Sequence, residues 1–211
     1  MEFNEKQISI INTAERLFSI NGFDGTSVRD IAHEAGINVA MISYYFGSKE
    51  KLMEAVFEQK TSKMRLKVEN MLQEEKLTNH EKVNILIEDY VDRFLSQPQF
   101  HKVMLLEQLS DKPGGIAGMI DELKKRNLAL IKKLIQEGQK SGEFKKNIDI
   151  ALMMATMVGT VSQMIISRRF YREVNNMEHL PEEEFTNYIR KKLCAHLKNL
   201  FKSTLTNEEK K

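Results

Sequence analysis

The chain has 211 residues, 41% hydrophobic and 29% charged, with three prolines and no tryptophan; this composition excludes a disordered or fibrous protein and leaves room for one domain or for a small domain joined to a larger one. A single cysteine, Cys194, excludes an internal disulfide framework, and the mixture of Glu, Lys, Asn and Arg with apolar residues over Met1 to Ile20 is not the pattern of a secretory leader, so a cytoplasmic protein is expected. The net charge of +2 is unevenly placed: residues 1–60 hold six Lys and Arg against nine Asp and Glu, a net of −3, leaving +5 for the remainder and excluding an N-terminal part drawn onto nucleic acid by bulk charge.

Helical periodicity runs from end to end, and no stretch sustains the alternation of a strand, so the chain is expected to be all-α with about nine helices. The first helix spans roughly Glu5 to Ile20, with Ile8, Ile11, Ala14, Leu17 and Phe18 on one face and Gly22 to end it. "TSVRD" opens the second, Ser27 and Asp30 having capping-box spacing, and it ends at Ala35 and Gly36. Asn38 caps a third helix to about Phe46, and Ser48 a long fourth to about Glu75. Thr78 and Glu81 open a fifth to about Leu95, and Pro98 starts another. "DKPGG" at 111–115 reads as a loop. Helices follow from about Ile116 to Lys140, Asp149 to Val174 and Pro181 to Leu205, before a polar tail at 206–211. Ile150 to Ser167 is uncharged over 18 residues, but its Thr, Gly, Ser and Gln make it too polar all round for lipid, so it is expected to be buried between helices or subunits.

Two short helices, "SVRDIAHEA" and "VAMISYYF", are joined only by "GIN", the signature of a helix-turn-helix. Ile31, Ala32, Ala35, Ile37 and Ile42 can bury against the first helix, leaving Val39, Ala40, Ser43 and Tyr44 on a bare face. Small side chains there let a helix enter a major groove, apolar atoms meet a thymine methyl, and a hydroxyl bonds a base edge. Backbone N–H groups at Thr26 to Val28 and at Ser48 to Glu50, with Thr26, Tyr45 and Lys49, offer phosphate contacts that stand in for the missing positive charge. Candidate DNA-binding residues are therefore Thr26, Ser27, Arg29, Asn38, Val39, Ala40, Met41, Ser43, Tyr44, Tyr45 and Lys49. A helical hairpin with half-buried tyrosines fits the apolar spacing equally well.

"TSVRDIAHEAGINVAMISYYFGSKEKL" resembles the DNA-binding region of the TetR family of bacterial transcriptional regulators, at Phe18, Gly22, Phe23, Thr26, Ile31, Ala32, Ala35, Gly36, Tyr45, Phe46, Ser48, Lys49, Glu50 and Leu52. It departs from the family pattern at Asn38, Met41 and Ser43, the last two in the reading helix. The resemblance implies a three-helix helix-turn-helix DNA-binding domain over 1–50 and a helical regulatory domain over 51–205 that dimerises and holds a small-molecule effector. It also implies a sequence-specific regulator of double-stranded DNA, a repressor released from a palindromic operator by an apolar or amphipathic ligand.

Within the larger part, Met64, Met104, Met153 and Met157 are candidate pocket residues because an unbranched thioether adapts to varied shapes, and Tyr90, His101 and Glu107 are candidates to orient a polar group. Ala151, Ala155 and Gly159 recur at i+4 as a smooth ridge which, with Leu193 and Leu197 of "FTNYIRKKLCAHLKNLF", is the candidate homodimer interface. The same ridge can pack within one subunit. The length of the fourth helix suits it to carry a ligand's effect to the reading helix.

The alternatives are a helical enzyme or a protein-binding adaptor built on the larger part. For catalysis the sequence offers no Gly-rich phosphate loop, metal-ligand spacing or nucleophile elbow, so no catalytic residue, metal or cofactor is expected. Cys194 and His196 point about 200° apart on a helix and do not pair.

Overall fold

The computed structural model describes residues 3–109 and 116–206, and the side chains of all of these except 63–65. The expected loop at 111–115, the tail beyond Thr206 and the side chain of Met64 lie outside the described residues. Every element described is helical: α1 Glu5–Asn21, α2 Val28–Glu34, α3 Val39–Phe46, α4 Lys49–Leu72, α5 Asn79–Ser96, α6 Pro98–Leu109, α7 Ile116–Ser141, α8 Ile150–Ile166, α9 Arg168–Val174 and α10 Glu182–Leu205.

The helices begin where side chains satisfy their first amides. Asn4 and Gln7 form a full capping box on α1, Ser27 and Asp30 do the same on α2, and Asn38 accepts from Ala40 N on α3. On α5 the box is Thr78 and Glu81, with bonds of 2.8 and 3.2 Å. The α4 helix stops at Leu72, short of the expected Glu75, where the buried Lys82 ammonium takes the Leu72 carbonyl at 3.0 Å. A cation on the last carbonyls of a helix is a favourable end.

The helix expected over Asp149 to Val174 is two helices, α8 and α9, bent by 73°. At the break Ser167 turns its hydroxyl back onto the Gln163 carbonyl at 2.6 Å, a bond that bends helices. Beyond it Arg168 and Arg172 both pair with Glu182 and lie 5.1 and 4.5 Å from the Phe185 ring, which tethers α9 to the start of α10. Nor is α8 buried all round: Met153 and Val161 face inward, while Leu152, 65% exposed, Ala151, Ala155, Val158, Gly159 and Ile166 face outward. Among the described residues no single helix is long and apolar enough to cross a membrane; the α8–α9 pair reaches that length and apolarity only across its bend.

The chain divides into two compact units, residues 1–67 with 97–125 and residues 68–96 with 126–211, the divisions falling inside α4, between α5 and α6, and inside α7. The core of the first gathers Ile10, Ile11, Ala14 and Phe18 of α1, Ile31 and Ala32 of α2, Ile42 of α3, and Leu52, Met53, Val56 and Phe57 of α4. Phe100 and Val103 of α6 and Ile116 and Ile120 of α7 join the same core, so packing around the helix-turn-helix continues well past residue 50. On α1 the inward stripe is turned slightly from the expected one: Ile10 is buried and Ile8 lies at the surface.

In the second unit α5, α8 and α10 pack on one another, with Ile87, Val91, Val161, Ile189, Leu193, Leu197 and Phe201 among the buried residues. Arg190 of α10 holds Asp92 of α5, and Lys198 holds Glu88. The Glu143 carboxylate accepts from Asn79 N at 2.9 Å and Asn79 Nδ2 at 2.6 Å, capping α5 a second time.

Candidate nucleic-acid interface

The turn between α2 and α3 is closed by Gly36 N to His33 O, 3.1 Å, and Ile37 N to Ala32 O, 2.9 Å, with Gly36 at φ 65°. That left-handed φ and pair of bonds form a Schellman-type ending, which a residue with a side chain adopts only with strain. It directs Ile37 back toward the core and starts α3 two residues later. Ile42 is 1% exposed and fixes the rotation of α3, and Val39, Ala40, Ser43 and Tyr44 stand outward, Tyr44 being 80% exposed. These four share a face that can enter a major groove. Tyr45 and Phe46 are half-buried against the core, Tyr45 meeting Tyr44 edge-on with ring centroids 5.1 Å apart.

The remaining candidates divide between surface and scaffold. Ser27, Arg29 and Asn38 are exposed, and Met41 is half-buried. Ser27 gives both its hydroxyl and its N–H to the Asp30 carboxylate, at 2.7 and 2.8 Å, and these bonds hold that carboxyl below its ordinary range. Asn38 is occupied as the cap of α3. Thr26 is 0% exposed and its hydroxyl donates to Gly22 O at 2.9 Å, so it is a strut of the α1–α2 turn and not a side-chain donor to phosphate. Lys49 is also partly committed: its Nζ donates to Phe23 O at 2.9 Å and Thr26 O at 3.0 Å and lies 4.1 Å from the Phe23 ring centroid.

Two participants in that turn were not expected there from the sequence. A Cβ on Gly25 would sit 2.3 Å from the Asn21 carbonyl oxygen, so the turn needs a glycine there. Glu107 was expected beside a ligand, but its carboxylate receives the Phe23 N–H at 3.3 Å. Glycine demand shows in sequence only as a glycine, and a bond across 84 residues leaves no local pattern.

Of the other ligand candidates, Met104 packs against the first unit's core and His101 stacks edge-on with Phe100, centroids 5.5 Å apart. In the second unit, burial pushes the Tyr90 hydroxyl up and pulls Arg93 down, the Arg93 guanidinium being held 2.9 Å from Asp89. Met153 lines a cleft of about 310 Å³ with Ile148, Leu152, Leu200 and Phe201, whose lining includes neither Tyr90 nor Met157. Ala151, Ala155 and Gly159 are exposed together, whereas Leu193 and Leu197 point into the unit's own core.

An acid-poor, small-residue reading face on the last of three short-linked helices, fixed on the first unit's core, defines a helix-turn-helix protein. Residues 10–56 match the family described as bacterial regulatory proteins, tetR family, and residues 57–200 match the C-terminal region of YsiA-like proteins. The chain belongs to the TetR family and is a DNA-binding transcriptional regulator. It is 26% identical over 162 residues to the fatty acid metabolism regulator protein of Bacillus subtilis, covering 76% of this chain and 81% of that one. To the transcriptional repressor NicS of Pseudomonas putida it is 29% identical over 167 residues, 71% of this chain and 72% of the other. In fold it is similar to the regulator FadR from Bacillus subtilis in complex with stearoyl-CoA, at a TM-score of 0.68 and 22% identity, covering 94% and 99% of the two chains. FadR from Bacillus halodurans follows at a TM-score of 0.67 and 22% identity, covering 93% and 96%.

Proposed function

We propose that the chain acts in the cytoplasm as a homodimeric repressor that a long-chain acyl thioester releases from a two-fold symmetric operator. The observation that carries the effector is the kinship over three quarters of the chain with a fatty acid metabolism regulator. The half-buried Tyr90 and Arg93 supply polar groups of the kind that orient a ligand head within an apolar helix. The dimer is supported by the outward stripe of α8, where Leu152, Ala155, Gly159 and Ile166 lie exposed at helical spacing, and by Phe170 and Val174 exposed on α9 beyond the bend. A stripe of that length needs a partner surface. On α10 the residues free to meet it are Ala195, His196 and Asn199, since Leu193 and Leu197 are used internally.

Light scattering should give twice the chain mass at micromolar concentration. Stearoyl-CoA should raise the melting temperature and weaken DNA binding, while stearate and free CoA do less. By linkage, DNA must weaken stearoyl-CoA binding by the same factor. Equal affinity with and without DNA would remove stearoyl-CoA as effector, however tight the binding.

A further inference from the structure

Glu107 lies on α6, inside the stretch 57–200 matched by the C-terminal family, yet its carboxylate accepts the backbone N–H of Phe23 in the turn between α1 and α2, at 3.3 Å. The carbonyl of the same residue is taken by the Lys49 ammonium of α4 at 2.9 Å. All three residues belong to the first unit. Phe23 is thus held at its two polar backbone groups by opposite charges from two helices, the Lys49 bond having the length of a strong charge-assisted bond and the Glu107 bond being longer. The turn has little slack of its own, because Thr26 is bonded to Gly22 O and Gly25 has no room for a side chain. Its direction therefore sets where α2 starts, and α2 packs directly on α3.

We propose that Glu107 is a positioning residue for DNA reading: by holding the Phe23 N–H it fixes the α1–α2 turn, and through α2 the pose of the reading helix. Sequence discrimination by the helix-turn-helix then depends on a side chain that stands outside it. The dependence follows from DNA binding alone and is independent of effector and dimer interface. An uncharged acceptor of the same shape keeps part of the bond, whereas truncation leaves the half-buried N–H without it.

The test uses the full chain and a duplex selected by the wild-type protein from a random-sequence pool, with a scrambled duplex of equal length as reference. Hydrogen exchange at the Phe23 amide reports the bond directly. In Glu107→Ala this amide should exchange about ten times faster, affinity for the selected duplex should fall about tenfold, and affinity for the scrambled duplex should change less than twofold. Glu107→Gln should stay within about threefold of wild type in each. The proposal is overturned if Glu107→Ala leaves exchange and discrimination unchanged, if Gln and Ala are equally impaired, or if both duplexes lose affinity in step with the melting temperature. Should the alanine variant not fold, unprotected exchange of the Phe23 amide in the wild-type chain is enough to overturn it.

Discussion

The ε-ammonium of Lys49 donates to the carbonyl oxygen of Thr26, 3.0 Å away, joining the first turn of α4 to the residue just before the cap of α2. Its second bond, to Phe23 O, uses another of its three N–H groups. Lys49 is therefore at once a brace of the turn and a cation beside the reading helix. Lys49→Ala should cost about 1.5 kcal/mol of stability, a fall of about 3–6 °C in melting temperature. It should also lower the slope of log K against log salt by about one and, because the same turn is loosened, weaken a selected duplex more than an unrelated one. A lowered slope at unchanged stability would mean that the two carbonyl bonds contribute nothing in solution.

Tyr44 and Ile42 lie two positions apart on α3 and face opposite ways, one 80% and the other 1% exposed. Tyr44→Ala should leave denaturant stability within about 0.5 kcal/mol of wild type and weaken operator binding by about 1–3 kcal/mol. Ile42→Ala should do the reverse in origin, destabilising by about 2–5 kcal/mol through the cavity it opens, with DNA binding lost only as the fold is lost. Urea titrations beside gel shifts separate the two. Ser43→Ala, on the exposed face, should change which bases are preferred and not the affinity for unrelated DNA.

The reading face was legible because it follows from local rules: a cap at Asn38, a glycine at Gly36 and apolar residues at helical spacing fix which side of α3 is left over. The same rules place the starts of α1, α2 and α5. They fail where distant residues decide. Nothing near Leu72 says that Lys82 will stop α4, and nothing near Ser167 says that Arg168 and Arg172 will be drawn to Glu182 and Phe185 and tether α9 beyond the bend. Thr26 fits a phosphate contact by type and spacing, but its hydroxyl is already spent on Gly22 O. Leu193 and Leu197 show the same limit: an apolar stripe says that something covers it, not whether the cover is the same chain or another copy.

Glu143 gives the second unit a pH dependence. Burial, the largest influence, raises its carboxyl, but bonds from the Asn79 and Ser141 side chains and from the His80 and Asn79 amides outweigh it, so the net shift is downward. A carboxyl whose folded pKa lies below its unfolded value of about 4.3 contributes stability above that value and loses it as pH falls through the folded pKa. Glu143→Gln keeps an acceptor but removes the charge. It should melt about 2–4 °C below wild type at pH 7, as expected for losing about 1 kcal/mol of helix capping. The gap should close as pH falls through the folded pKa and the native carboxyl becomes neutral as well. A gap constant from pH 7 to 3 would assign the loss to shape and not to charge.

Glu15 of α1 and Lys60 of α4 form an ion pair of 2.7 Å whose side chains are only 7% and 19% exposed. Two charges withdrawn from water need each other, because either one left alone keeps the cost of desolvation without the attraction that offsets it. Lys60→Ala should therefore destabilise the chain by about 3 kcal/mol, and Glu15→Ala by less, since Lys60, the more exposed partner of the pair, can be reached by water once its carboxylate is gone. Replacing both at once, Glu15→Leu with Lys60→Met, should restore much of the loss, because two apolar side chains of similar volume suit the same space. Chemical denaturation of the wild type, Glu15→Leu, Lys60→Met and the double variant closes the cycle. If the double variant is as unstable as the sum of the singles, the pair is not coupled, and α1 is held on α4 by Ile11, Ala14 and Phe18 packing alone.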